Sequence, residues 1–410
     1  MNRVVIVKVV LNSINNAKDL VMIAEKTPCE VNLHCNRYIV NAKSILGVLS
    51  LPFSKCAEMH FDTEDQAIIN PILKELKNLN LLEEDIDIKP TIYDISALGE
   101  ILIDFTNNGI NERGQKIFTQ NPGGAPANVL VAATKLGSKA AFLGKAGDDM
   151  HGVFLKKTLE NESIDTEGLM LDQNFFTTLA FVDLDESGER TFSFFRKPGA
   201  DTQIQSEEIN LEILENSRIF HVGSLSLTNN PSHDATFYAV KYAKQHDAII
   251  SYDPNYRASL WESEEVAKRV MRSMIPYVDI MKISDTEMEL LTDKTNPAEA
   301  TRALCDQGVK IAVVTLGKDG AFIGTKDGGQ HVAGFSSEVV DKTGAGDAFW
   351  GGFLHSIAHS TTPVAQMQFI EIENHTRLAN AVASLCVESL GAIPAMPTKE
   401  AVCSRIIGLA

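Results

Sequence analysis

Residues 339–349 read Val-Val-Asp-Lys-Thr-Gly-Ala-Gly-Asp-Ala-Phe and run into an apolar helical pattern. Small residues at Gly344, Ala345 and Gly346 let a phosphate approach the backbone, and successive amide N–H groups opening a helix form an anion cradle helped by the helix dipole. This is not a Walker A loop, because no Lys-Ser/Thr pair follows the glycines. A carboxylate stands there instead. Asp347 is placed to take a proton from a hydroxyl attacking a phosphoryl group held in that cradle. Spacing alone leaves open the plainer alternative, an Asp that only caps a helix after a glycine turn.

A second glycine cluster, Asn-Pro-Gly-Gly-Ala-Pro-Ala-Asn over 121–128, leads into a helical stretch ending at Gly137. Gly123 and Gly124 allow close backbone approach, and Asn128, one turn inside, can donate to and accept from vicinal hydroxyls. That chemistry suits a sugar, although the same residues also make an ordinary turn and helix start. Asp104 is a carboxylate in an otherwise apolar strand, where burial demands a partner. Residues 313–321 read as strand, polar turn, strand. Two arginines, Arg196 and Arg257, suit anion binding, or else surface ion pairs.

The elements around these residues alternate apolar strands with amphipathic helices. Strands at 219–222, 248–252, 280–283 and 311–315 are separated by helices at 231–244, 263–274 and 297–307, which predicts a doubly wound α/β, mostly parallel sheet. Such sheets bind ligands at the carboxyl ends of their strands. Two segments interrupt the alternation, 102–119 and a hairpin at 177–195 turning at Glu186-Ser187-Gly188. They are expected to form a small β lid over the site, with Phe192 and Phe194 on one face of its second strand and Phe195 on the other.

Residues 79–90 carry an acidic cluster and end in proline, and a new strand pattern starts at Thr91. A linker is expected at 79–91. Before it, the order β-α-β-β-α-β-α predicts a small α+β open-faced sandwich. The chain has 410 residues and a formal charge of −17, of which residues 1–90, with 10 basic and 12 acidic side chains, carry only −2. So acidic a protein would be repelled by nucleic acid and anionic membrane surfaces. No apolar run reaches the roughly 20 residues of a bilayer span. The first strand lacks a leader's cleavage site, and six scattered cysteines suit reduced, mostly buried thiols, so a cytoplasmic protein is expected.

Taken together, residues 92–410 resemble the ribokinase-like (PfkB) carbohydrate kinases. GGAPAN at Gly123 is similar to that family's sugar-side signature and DKTGAGDAF at Asp341 to its ATP-side signature. The resemblance implies that Asp347 is the catalytic base, that Gly344, Ala345 and Gly346 form the anion hole, and that Asp104, Gly123, Gly124 and Asn128 hold the sugar. Arg196 and Arg257 are kept as further substrate contacts. GERTFSFFRKPGAD, YDPNYRASLW and KISDTEMELL look most like fructokinases, which implies ATP-dependent transfer to the 6-hydroxyl of fructose. By the same kinship Thr315, Gly317, Gly320 and Asn380 face ATP, and Glu287 organises the water shell of Mg²⁺. The family's Asn-x-x-Glu stands here as Ser284-Asp285-Thr286-Glu287. A K⁺ ion is expected beside Asp341 and Thr343, near Gly391, and pairing of lids implies a homodimer. The rivals are a 2-keto-3-deoxygluconate kinase, whose substrate carboxylate would need an arginine, and a non-catalytic sugar sensor linked to the phosphotransferase system.

Residues 1–78 resemble the HPr phosphocarrier of the bacterial sugar phosphotransferase system, mainly through NAKSILGVLSL at Asn41. The carrier histidine of that family is replaced here by the stretch Ile14-Asn15-Asn16-Ala17-Lys18, and an amide nitrogen is not nucleophilic. His34 and His60 fall in strand-like stretches, where a structural role is expected. This implies a degenerate carrier domain that has lost relay chemistry but could still meet a phosphotransferase-system partner. Ser44 matches the family's regulatory serine, with a plain helix N-cap as the alternative.

Overall fold

The computed structural model describes residues 5–11, 13–35, 38–51, 54–63, 65–79, 81–82, 91–184 and 190–408. The chain divides into two compact units, Met1–Lys89 and Pro90–Ala410. Most of the expected linker and the turn at Glu186-Ser187-Gly188 lie outside the described residues.

In the first unit β1 (Val5–Leu11), β2 (Val31–Cys35), β3 (Tyr38–Asn41) and β4 (Ser54–Phe61) form an antiparallel sheet in the order β1-β4-β2-β3. Helices Ile14–Lys26, Ile45–Leu49 and Gln66–Asn78 complete the α+β sandwich read from the sequence. Strand alternation explains its single core. Val31, Leu33, Met59 and Phe61 are buried with Leu20 and Ile23 of the first helix. Ser44 caps the short helix, its Oγ accepting from the Gly47 N–H at 3.2 Å.

The intervening strand positions put His34 and His60 on the other face, where their rings stack at 3.6 Å and His60 meets Glu58 at 3.0 Å. Burial first, then the neighbouring His60, lowers the His34 pKa, and Glu58 only partly opposes them. A histidine depressed in the fold binds fewer protons folded than unfolded, so its contribution is complete above the unfolded value and declines as pH falls below about 6.5. Hydrogen exchange of β2 and β4, corrected for intrinsic rates, should therefore be faster at pH 5.5 than at pH 7.5. Equal protection at both would contradict this.

The second unit holds β5 (Tyr93–Leu98), β6 (Leu102–Ile110), β7 (Lys116–Gly123), β8 (Ala140–Gly147), β9 (Ile164–Asp172), β10 (Leu179–Leu184) and β11 (Arg190–Phe195). It continues with β12 (Ser217–Val222), β13 (Ile249–Tyr252), β14 (Ile280–Ser284), β15 (Ile311–Thr315), β16 (Ala321–Thr325) and β17 (Gly328–Val332). Nine of these form one sheet in the order β17-β16-β15-β14-β13-β12-β5-β8-β9, parallel from β9 to β15 and antiparallel beyond. One face packs on a core with Trp350, Phe353 and Phe142, the other on a core with Phe220, Tyr252 and Met271. From β5 the chain moves to β8 and β9 on one side and returns as β12 on the other. A crevice therefore opens at the carboxyl ends of β5 and β12.

The remaining four strands make the lid, in the order β11-β10-β6-β7, with β10 running parallel to β6. Phe181 packs against Phe105, Phe118 and Phe195. Phe195 remains 66% exposed while Phe194 lines the cleft, so the two do lie on opposite faces. The side chain of Phe192 lies outside the described residues. Among the described cysteines Cys35 and Cys386 are buried, Cys29 and Cys305 half-buried and Cys403 exposed, which corrects the expectation of mostly buried thiols. Among the described residues no helix is long and apolar enough to cross a membrane.

Candidate active site

The crevice is a cleft of about 660 Å³, within the range typical of small-molecule sites. Asp104, Gly124, Asn128, Arg257, Ser284 and Glu287 line it, as do Thr315, Gly317, Thr343, Gly344, Gly346 and Asp347. Asp104 and Asp347, 243 positions apart in the chain, are thus brought to one place by the strand order.

Asp347 stands in the first turn of the helix Ala345–Ala358, whose N-cap Gly344 has φ +76° and offers no side-chain cap. A Cβ on Gly344 would lie 2.7 Å from that of Ala392, so the turn needs glycine. Because the Ala348 N–H makes the first bond to Gly344, the three preceding amides have no intrahelical partner. Ala345 turns its own back to the Lys342 carbonyl at 3.3 Å. Gly346 and Asp347 are left as open donors in the first turn of the helix, directly after the Gly344 turn.

The Asp347 carboxylate accepts from Asn128 Nδ2 at 2.8 Å and from Asn255 Nδ2 at 3.2 Å. Burial raises its pKa, opposed by the charge of Lys282, the Asn128 bond, Arg257 and Asn255. Asn255 follows β13 in a left-handed conformation, φ +52°, which Asn tolerates better than most residues. Asp104, facing Asn121 across the β6–β7 pair, is pushed up to about 6 by burial, with Arg257 lowering it and Asp347 raising it. A Cβ on Gly123 would sit 2.3 Å from Asp104 Oδ2, so that glycine makes room for the carboxylate although it is absent from the cleft wall.

Three other expected site residues, Arg196, Gly320 and Asn380, are not part of this cleft wall. Arg196 is buried and is not among the cleft-lining residues. It donates through Nε to Asp201 at 2.7 Å, and to Thr228 Oγ1 and the Leu225 carbonyl. Its hydrogen-bonding capacity is thus spent within the fold, unlike that of Arg257, which is at the cleft. Arg196→Leu should cost about 3–5 kcal/mol by stranding Asp201, seen as a lower thermal midpoint, with the sugar KM of the surviving enzyme changed less than twofold. Gly320 (φ +95°) and Asn380, which donates to the Val332 and Ala333 carbonyls at 3.3 and 3.0 Å, brace the loop after β17 instead of lining the cleft.

Glu287 has both carboxylate oxygens engaged. Oε2 accepts from the Ser284 N–H and Oγ, each at 2.8 Å, and Oε1 accepts from the Tyr256 N–H at 2.7 Å. Among the described residues no group of three His, Cys, Asp or Glu could hold a metal. The donor set therefore suits contact with a magnesium ion through water, with phosphates as its direct ligands, as is usual for this ion. Asp341 ties two loops together, accepting from Thr343 N and Oγ1 at 2.8 Å and from the Gly391 N–H at 3.0 Å. With Thr343 and Gly391 it borders a smaller cavity of about 190 Å³ shared with Asp104.

Four polar residues here were given no role in the sequence reading: Glu100, Asp253, Asn255 and Lys282. Glu100, pushed up to about 7 by burial, accepts the Ala125 N–H at 3.0 Å and so caps the Asn128 helix from outside. Each of the three charged ones is a buried charge in or just after an apolar strand, the same signal that singled out Asp104.

Residues 93–399 match the pattern of the pfkB family carbohydrate kinase. The chain belongs to that family. The kinase is 40% identical to a probable fructokinase-2 of Arabidopsis thaliana over 307 residues, 74% of this chain and 93% of that protein. Among solved structures, fructokinase from Xylella fastidiosa with bound ATP superposes with a TM-score of 0.72 at 32% identity, covering 78% of this chain and 99% of that one. A double mutant of Vibrio cholerae O395 fructokinase, bound to fructose, ADP and a potassium ion, gives 0.69 at 32%, covering 78% and 99%. The family match lies within the second unit, where the doubly wound sheet and lid were expected.

Proposed function

We propose that this kinase transfers the γ-phosphoryl group of ATP to the 6-hydroxyl of fructose. The observation that carries the reading is the seat of Asp347, a buried carboxylate oriented by Asn128 and Asn255 beside two open helix amides. In this reading Asp104, Asn128 and Arg257, with the backbone at Gly124, hold the sugar. Ser284, Thr315 and Gly317 flank the nucleotide, and Asp347 takes the hydroxyl proton as oxygen attacks phosphorus. The Gly346 and Asp347 amides stabilise the transferring group. Magnesium, when bound with the nucleotide, screens phosphate charge, and Glu287 orders its water. Asp341, Thr343 and Gly391 are the residues that would border a potassium ion. The lid keeps out water that would otherwise accept the phosphoryl group.

Arg257 keeps a sugar acid in view as second substrate, since a cation at the cleft wall would suit a carboxylate. Purified protein with ATP and Mg²⁺ should be assayed on ketoses, aldoses and sugar acids, with the product read by ³¹P NMR. Fructose 6-phosphate is the expected product. A higher kcat/KM for 2-keto-3-deoxygluconate would replace fructose, and turnover of no sugar would favour the sensor reading. The apolar outer face of the lid, with Phe195 and Ile110 exposed, supports a homodimer through that face. For the first unit, the sheet order and capped Ser44 helix support an HPr-like module without its phosphoacceptor, still able to meet a phosphotransferase-system partner.

A further inference from the structure

The proposed reaction leaves one buried ion pair at the cleft without a task. Lys282 lies in β14 among Ile280, Met281 and Ile283, and its side chain is 6% exposed. An ammonium there is costly unless paired. Its Nζ donates to Asp253 Oδ2 at 2.6 Å, and the Asp253 side chain is only 2% exposed. Lys282 also reaches the cradle, because a Cβ on Gly346 would lie 3.0 Å from Nζ. The missing side chain lets the ammonium rest against the backbone that offers the open amides. The adjacency of β13 and β14 brings about this meeting, since Asp253 directly follows β13.

We propose that Lys282 is a positioning residue for phosphoryl transfer. Its ammonium, moored by Asp253 against Gly346, is the buried positive charge around which the glycine cradle and the Asp347 carboxylate are arranged. The proposal deepens the reading of Asp347 as base and rests on it.

The charges around Asp347 give the pair its leverage. Arg257 is the other cation acting on it, while Asp104, Asp253 and Glu287 are the carboxyl groups nearby, Asp253 itself pushed up to about 7 by burial with the Lys282 ammonium opposing. Cys386 is held neutral, its thiol pushed up to about 12 by burial. His221, pushed down to about 3 by burial and then by Lys282, is neutral too. Burial pulls the Lys282 pKa down, but the charges of Asp253, Glu287 and Asp347 outweigh it and hold the ammonium above its ordinary value. Of the influences that oppose the burial of Asp347, Lys282 is the largest.

The test uses the full chain with ATP, Mg²⁺ and fructose between pH 5 and 9. The double variant Lys282→Met/Asp253→Asn removes both members of the pair, so neither is left buried without the other. It should lower kcat at pH 7 at least about tenfold and move the acid limb of kcat/KM up by about one pH unit, with the sugar KM within about twofold. Asp253→Asn alone, leaving Lys282 uncompensated, should move the limb down. A purely structural pair would shift the thermal midpoint of both variants and neither limb, and that result overturns the proposal. Should the double variant fail to fold, the signed shift in Asp253→Asn decides alone, an unmoved or raised limb being fatal. Asp347→Asn separates the premises: full turnover there removes the base assignment itself.

Discussion

Asp347→Asn should lower kcat about 10³-fold or more, within the range a general base and its placement contribute together, while nucleotide and sugar binding change little. Asn keeps the size of the side chain and one acceptor oxygen for Asn255, and its new NH2 is met when the Asn128 amide turns over to present its otherwise unpartnered Oδ1, so the Asn128 helix and the Asn255 loop stay in place. What it loses is the capacity to take a proton. The sign of the pH dependence follows from the same burial. Activity needs the ionised carboxylate, whose pKa is raised, so kcat/KM should fall on acidification at a pH above the ordinary carboxylate range. Linkage predicts a second effect. A carboxyl raised in the fold binds protons more readily folded than unfolded, so its ionised form costs stability at neutral pH. Asp347→Asn should therefore raise the thermal midpoint at pH 7.5 and lose that advantage in acid. Calorimetry across pH checks this, and an unchanged or lower midpoint at pH 7.5 would count against a desolvated base.

Gly124→Ala should be the most damaging of the small substitutions. Gly124 has φ +118° and ψ +117°, a conformation that side chains rarely adopt, and an added Cβ would lie 2.3 Å from the Glu100 carbonyl oxygen. That neighbour is backbone directly after β5 and cannot swing aside. Backbone strain and overpacking together suggest about 3 kcal/mol or more, and relief would pull the Asn128 helix away from Glu100 and Asp347. A lower midpoint with a sugar KM raised at least about tenfold is expected, the latter because a small displacement of a positioning group is costly. Gly137→Ala is the control. It shares a positive φ, +110°, but a Cβ there meets nothing within 4 Å, so about 1 kcal/mol and no change in KM are expected.

What could be read in the sequence was what is local in the chain. Asp347 and its glycines occupy four consecutive positions, and the alternation of apolar strands with amphipathic helices forecast the strand-ends where function lies. Side-chain partnership across the fold was not legible. Arg196 and Arg257 are the same residue type near similar motifs, and only the proximity of Asp201, Thr228 and Leu225 commits one of them to the fold. Lys282 and Asp253 are 29 positions apart and meet because β13 and β14 are neighbours. Asn380 reaches over 48 positions to hold the loop after β17. Neither contact leaves a periodicity, and the parallel pairing of β10 with β6 in the lid leaves none either.

The most direct measurement is a crystal structure of Asp347→Asn with fructose and a non-hydrolysable ATP analogue. The account predicts the fructose 6-hydroxyl within about 3 Å of the residue 347 side chain, with the γ-phosphate on the Gly346 and residue 347 amides. A sugar seated with that hydroxyl turned away from residue 347, or a terminal phosphate elsewhere in the cleft, would contradict it.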